Sequence, residues 1–185
     1  MKPFILASQS PRRKQLLEQA RLSFSIIPSS IEETVPDHYS PEETVALLAY
    51  QKAADVLKNH RDSVILGADT IVSLDGTILG KPANDEDARA KLHLLSGRTH
   101  QVLTGVAILS SEKEITFTAQ AQVSFYTLSD EEIDNYIRSG EPSDKAGAYG
   151  IQGLGATFVE KVEGDYFAIV GLPIAKVSRA LKSFN

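Results

Sequence analysis

Within six residues the chain places two serines and two arginines, Ser8-Gln9-Ser10-Pro11-Arg12-Arg13, after the apolar stretch Phe4-Ile5-Leu6-Ala7 and before Lys14-Gln15-Leu16-Leu17. The order reads as strand, turn and helix. Ser10 is placed to cap the helix with its hydroxyl. Pro11 suits the first helical position because the N–H it lacks would have had no partner there, so the helix is read from Arg12. Free amide donors and the positive end of the helix dipole converge where Arg12 and Arg13 project, and a guanidinium grips phosphate oxygens through a planar fork. The chemistry implied is binding of a polyphosphate. The same residues also fit a plainer description, a capped helix with solvated arginines.

Other charges stand where the hydrophobic pattern asks for apolar residues. In the helix expected from Pro41 the buried stripe runs Val45, Leu48, Ala49 and Val56, and at ~100° per residue Lys52 falls near its centre. Asp69 interrupts Val64-Ile65-Leu66-Gly67-Ala68 and Ile71-Val72, a run apolar enough for a strand covered on both faces. A buried carboxylate needs a partner, because its desolvation is costly. The pairing of Asp69 with Lys52 is either an inert internal ion pair or part of a site. Gly67 and Thr70 beside Asp69 suit a strand end, where α/β sheets bind ligands. Glu33, in Ile31-Glu32-Glu33, adds a carboxylate after another expected strand. With Asp69 it would hold a hard divalent cation, Mg²⁺ or Mn²⁺, through oxygen ligands; alone it also reads as a surface residue. Lys81, in Gly80-Lys81-Pro82, follows a hairpin whose outer ends approach each other, which makes it a candidate to return toward Asp69 and bind phosphate.

The late segment Asp144-Lys145-Ala146-Gly147-Ala148-Tyr149-Gly150-Ile151-Gln152-Gly153 is dense in glycine. Its backbone is free to approach a flat ligand or adopt positive φ. Gln152 carries a donor and an acceptor set, the complement of a base edge; a plain glycine loop is the alternative. Ser96-Gly97-Arg98 reads equally as a helix stop with an exposed arginine. The spacings of a Walker loop, a Rossmann fingerprint, a His-Glu-x-x-His zinc motif and a serine nucleophile elbow are absent. The four histidines, His38, His60, His93 and His100, are therefore read as structural, and Ser8 and Ser10 as ligand hydrogen-bonders rather than nucleophiles.

These residues need a scaffold. Helix and strand patterns alternate along all 185 residues with no repeat or long linker, which points to a single α/β domain spanning 1–185, with two lobes around a central cleft. Strands are expected at 3–7, 23–27, 63–73, 77–79, 101–110, 114–126, 156–162 and 166–170. Asp75-Gly76 signals a tight hairpin with positive φ at both central positions, so the sheet is not wholly parallel. Ser40 with Glu43 and Ser129 with Glu132 have capping-box spacing. Asn84 should cap a third helix that stops near Gly97. A final helix from Pro173 puts Ile174, Val177, Leu181 and Phe184 on one core-facing stripe.

A hydrophobic content of 42% supports a sizeable core, and a net charge of -5 argues against a broad nucleic-acid surface. The lack of cysteine excludes disulfides, thiolate zinc sites and a cysteine nucleophile, and fits a reducing cytosol. The brief apolar run at the N-terminus is not a secretion signal, and no stretch is long and apolar enough to span a bilayer. A cytoplasmic protein without membrane attachment is expected.

Taken in order, Ala7-Ser8-Gln9-Ser10-Pro11-Arg12-Arg13, Gly67-Ala68-Asp69-Thr70, Gly80-Lys81-Pro82, Ser96-Gly97-Arg98 and Lys145-Ala146-Gly147-Ala148-Tyr149-Gly150-Ile151-Gln152-Gly153 closely resemble the Maf family of nucleoside triphosphate pyrophosphatases, over nearly the whole chain. The resemblance implies a fold similar to inosine triphosphatase, with a long mixed sheet, flanking helices and a cleft between two lobes. By the same resemblance Arg12, Thr70 and Gln152 match the specificity positions of the branch acting on dTTP and UTP. Asp69 matches the proton acceptor, and Ser8, Arg13, Glu33, Lys52 and Lys81 match positions lining the polar cleft. The expected reaction is metal-assisted hydrolysis to nucleoside monophosphate and pyrophosphate. Asp69, Lys52 and Lys81 would be catalytic, Ser8, Arg12, Arg13, Thr70 and Gln152 would bind substrate, and Glu33 with Asp69 would hold the metal. A homodimer and an association with septum formation and cell-division arrest are further implications. The alternative from another functional class is a nucleotide-sensing regulator that binds without turnover.

Overall fold

The computed structural model describes residues 3–184. Strands β1 (Phe4–Leu6), β2 (Phe24–Ile26), β3 (Ile65–Leu74), β4 (Thr77–Leu79), β5 (Thr99–Leu109), β6 (Glu114–Phe125) and β7 (Val159–Gly164) form one 7-stranded sheet. The order is β2-β1-β3-β5-β6-β7, with β4 paired to β3. The sheet is mixed: β1 is parallel to β2 and β3, whereas β4 runs antiparallel to β3 and β7 to β6. The flanking helices are α1 (Pro11–Gln19), α2 (Pro41–Leu57), α3 (Asp85–Leu95), α4 (Asp130–Arg138), α5 (Tyr166–Val170) and α6 (Ile174–Leu181). No helix among the described residues is long and apolar enough to cross a membrane.

The local signals act as the side chains require. Ser10 Oγ accepts from Arg13 N at 3.4 Å, and Pro11 is itself the first residue of α1, one position ahead of the expected Arg12. Both capping boxes form, at Ser40 with Glu43 and at Ser129 with Glu132, and Asn84 caps α3. Asp75 (φ 50°) and Gly76 (φ 83°) make the hairpin between β3 and β4, with Leu79 opposite Val72. In α6, Val177 and Leu181 are buried, while Phe184 lies beyond the helix in a 3₁₀ turn.

One expected strand is a helix. Residues 166–170 form α5, because Asp165 starts it: its carboxylate accepts from Phe167 N at 3.0 Å and its carbonyl from Ala168 N at 3.0 Å. A short apolar run has no period of its own that separates helix from strand, so the capping aspartate decides. Strand β7 is also shifted from the expected 156–162, since Leu154–Phe158 coils into a 3₁₀ turn first.

The chain forms two compact units, each with its own core. The first comprises the residues up to Thr70, Thr104–Ala119 and Gly171 onward; the second comprises Ile71–Leu103 and Gln120–Val170. In the first, Ile5, Ala7, Ala49, Ala53, Val56, Ile65, Ala107 and Leu109 pack together. Helix α2 lies so close to β3 and β5 that a Cβ on Gly67 would come within 2.3 Å of Ala49 O, and one on Gly105 within 2.1 Å of Val45 O. That approach sets α2 directly over β3, so Lys52 follows Ala49 down the helix as Asp69 follows Gly67 along the strand. The second unit packs Phe125, Tyr136, Tyr149 and Phe158 with aliphatic residues from α3, α4 and β3.

Candidate active site

The first turn of α1 carries Arg13 into the first unit, where only 8% of the residue is exposed. Its guanidinium donates in three directions: Nε to Gly171 O at 2.8 Å, Nη1 to Ser8 Oγ at 3.0 Å and Nη2 to Thr70 Oγ1 at 3.1 Å. All three acceptors are neutral. They orient the group without cancelling its charge, and a guanidinium has five N–H donors, so donor capacity remains for an anion. Burial lowers the Arg13 pKa, opposed by the nearby charge of Asp69. The arginine is thus not a solvated surface group. Nor is it a free fork, since much of its donor set is committed to the scaffold.

Ser8 Oγ accepts from both Arg13 Nη1 and Ser10 N, the latter at 3.2 Å. With two lone pairs engaged, its hydroxyl proton is what it offers to a ligand, which suits a phosphate oxygen and not a nucleophile's role. Thr70 Oγ1 lies 2.8 Å from Thr104 Oγ1, a fully buried hydroxyl on β5. Arg12, the preceding residue of α1, is half-buried.

Lys52 joins two carboxylates. Its Nζ is 2.5 Å from Asp69 Oδ1 and 2.8 Å from Glu33 Oε1. Side-chain exposure is 17% for Lys52 and 13% for Asp69 but 47% for Glu33, so the inner pair is protected and the outer carboxylate faces water. Glu33 has come from a segment without regular structure to reach the same ammonium. The Lys52 group and the Arg13 group meet at consecutive residues of β3, Asp69 and Thr70.

The two carboxylates are hard oxygen donors, and the point on which they converge is held here by the Lys52 ammonium. Their donor chemistry is of the kind Mg²⁺ or Mn²⁺ takes, since these ions bind through one or two carboxylates with water and substrate phosphates as the other ligands. No group of three or more His, Asp or Glu side chains suited to a metal occurs among the described residues, so protein ligation would rest on Asp69 and Glu33.

Lys81 and Gln152 belong to the second unit, and both are exposed. Their segments touch there: Gly147 N donates to Gly80 O at 3.2 Å. Gly147 adopts φ 68° with Val72 so close that a Cβ would meet it at 2.9 Å, which accounts for one glycine of the cluster. Ser96-Gly97-Arg98 is structural. Ser96 Oγ accepts from Leu128 N at 2.7 Å, Gly97 turns the chain at φ 66°, and Arg98 pairs with Asp75.

Thr104 and Gly171 are the site residues that sequence reasoning missed. Thr104 had a signal, a hydroxyl inside the apolar run Val102-Leu103-Thr104-Gly105-Val106. Gly171 had none, because it contributes a main-chain carbonyl.

A family model described as Maf-like protein matches residues 3–184. A Bacillus cereus protein named dTTP/UTP pyrophosphatase is 54% identical over 185 residues, covering 100% of this chain and 97% of the relative. A Bacillus mycoides protein of the same name is 55% identical with the same coverage. Among solved structures, the Staphylococcus aureus Ham1 protein matches with a TM-score of 0.40 and 16% identity, over 67% of this chain and 72% of that one.

Proposed function

The chain belongs to the Maf-like protein family, and from that membership we propose that it is a nucleoside triphosphate pyrophosphatase that cleaves dTTP and UTP to the monophosphate and pyrophosphate. Relatives above 50% identity over 97% of their length are named dTTP/UTP pyrophosphatase. The observation that carries the reading is Arg13, a buried guanidinium held by three neutral acceptors beside a carboxylate pair centred on Lys52. Packing alone gives no reason to bury a cation in this way.

Arg13, with Arg12 and the Ser8 hydroxyl, binds phosphate oxygens at the N-terminus of α1, where the helix dipole adds to the attraction. Asp69 accepts a hydrogen bond from the attacking water and takes its proton as the new O–P bond forms at the α-phosphorus. The α–β bridging bond breaks, and pyrophosphate leaves with the bridging oxygen. Lys52 fixes Asp69 in place. A divalent cation held by Asp69 and Glu33 would acidify bound water and offset phosphate charge. Stabilising charge on the transferring phosphoryl group is most of what such a reaction needs from a protein. The proposal assigns Lys81, an exposed ammonium, to phosphate charge. It assigns Gln152, an exposed amide with both donor and acceptor, to the pyrimidine edge.

Product analysis tests the reading. The full chain, incubated with dTTP or UTP and Mg²⁺ or Mn²⁺, should yield monophosphate and pyrophosphate, and chelation should stop turnover until the cation is restored. Diphosphate with inorganic phosphate would make the protein a phosphatase. Unchanged nucleotide would make it a binding protein.

A further inference from the structure

We propose that Glu141 is a positioning residue for base selection: its carboxylate, acting with the Tyr136 hydroxyl, fastens both ends of the turn that carries Gln152. The inference rests on the assignment of Gln152 to the pyrimidine.

The turn runs from Gly150 to Gly155. At its far end Leu154 N donates to Glu141 Oε2 at 3.0 Å and Gly155 N to Oε1 at 3.3 Å. At its near end Gly150 N donates to the Tyr136 hydroxyl at 3.1 Å, and that hydroxyl donates to Glu141 Oε1 at 3.0 Å. A single carboxylate therefore anchors both ends, one directly and one through a phenol. Tyr136 is a firm post, 3% exposed with its ring packed edge-on against Phe158. Burial raises its pKa, so the phenol keeps the proton it donates.

The backbone is shaped to admit this anchor. Gly153 has φ +88°, and a Cβ there would lie 2.8 Å from Glu141 Oε2; a Cβ on Gly155 would lie 2.3 Å from Gly150 O. On the other side, Lys145 Nζ holds the Glu141 carbonyl at 2.6 Å. Yet the residues restrained at the crest, Gln152, Gly153 and Leu154, are exposed. Restraining them adds little to the core. Among the described residues no hydrogen bond occupies the Gln152 side-chain amide, so what the anchor orders is a free recognition group. Ordering such a group beforehand removes part of the entropy lost on binding. It also sharpens rejection of a base that leaves the amide unpaired.

The test compares wild type, Glu141→Gln, Tyr136→Phe and Gln152→Ala as full chains, on dTTP, UTP and dATP. A glutamine at 141 replaces one acceptor oxygen with a donor NH₂ that faces other N–H groups. Glu141→Gln should lower kcat/KM for dTTP and UTP roughly tenfold, through KM, and leave dATP within about threefold, because hydrogen-bond readout and not phosphate grip is disturbed. Tyr136→Phe should move the same ratio by less. Amide hydrogen exchange at Leu154 and Gly155 should quicken in Glu141→Gln. An equal loss on all three nucleotides would reduce Glu141 to loop structure and overturn the inference. So would an unchanged ratio in Glu141→Gln when Gln152→Ala shifts it. If Gln152→Ala itself leaves the ratio unchanged, the base-reading assignment fails and the inference with it.

Discussion

Each unit of the molecule buries titratable side chains, and the two differ in the charge of those buried most fully. The first keeps charges: Arg13 amid neutral acceptors, and Lys52 between Asp69 and Glu33. The second also pairs half-buried lysines, Lys91 with Asp87 and Lys145 with Asp144, but its fully buried titratable groups are neutral. His100, 2% exposed, shares a hydrogen bond of 2.7 Å with the Tyr149 hydroxyl inside a ring cluster with Phe125. Burial pushes His100 down to about 4 and raises Tyr149, so both stay uncharged near neutral pH. Desolvated charge is costly, and a fold that needs only packing avoids it. Arg13 is the fully buried charge that carries this cost, and it sits in the proposed phosphate site.

The comparison breaks most sharply at Asp69. Asp69→Asn should cut turnover by ~10²-fold or more, the lower range for lost acid–base help. Its melting temperature should move little, because Glu33 still pairs with Lys52. Near-normal turnover would make the first unit's charges as inert as the second unit's aromatics. Arg13→Lys comes next. An ammonium cannot reproduce the planar set of bonds to Gly171, Ser8 and Thr70, so KM for the triphosphate should rise about tenfold and stability should fall by ~2 kcal/mol. Kinetics together with urea unfolding would show it; an unchanged KM would leave Arg13 as a purely structural tie.

Acid should separate the units by the neutral strategy. His100 titrates at about 4 in the fold and at 6.5 when unfolded. Between those values the unfolded chain binds a proton that the folded chain refuses. Its contribution is whole above 6.5 and is lost as pH falls toward 4, by up to about 3 kcal/mol. Urea midpoints at pH 7 and pH 4.5 should differ less in His100→Phe than in wild type; equal differences would mean that His100 is not the group responsible. The smallest effect is expected far from either cluster. Ser129→Ala removes the α4 capping box and should cost ~1 kcal/mol with kcat and KM unchanged. A change in kcat there would show that the chemistry depends on more than the charged region.

Much of the fold was legible because its signals were short. Ser40, Asn84 and Ser129 cap helices through hydrogen bonds to residues three positions on, and Asp75-Gly76 turns the chain within its own pair. Lys52 and Asp69 were legible as charged exceptions to an apolar pattern, and their ion pair follows from the cost of burying either alone. The strand expected at 166–170 failed for the same reason that the others succeeded, since Asp165 capped a run whose hydrophobicity did not distinguish the alternatives.

The amino-acid sequence determined by itself the caps, the hairpin, the absence of thiol chemistry and which side chains were available for phosphate and cation work. These depend on residue type and on neighbours a few positions away. Tertiary structure alone decided how Arg13 is used, because its partners Thr70 and Gly171 lie 57 and 158 residues along the chain. It likewise decided that Glu33 reaches Lys52 and that Glu141 holds the Gln152 turn. A long-range contact is set by how helices and strands pack, here by glycines that bring α2 onto β3, and no local pattern encodes that distance.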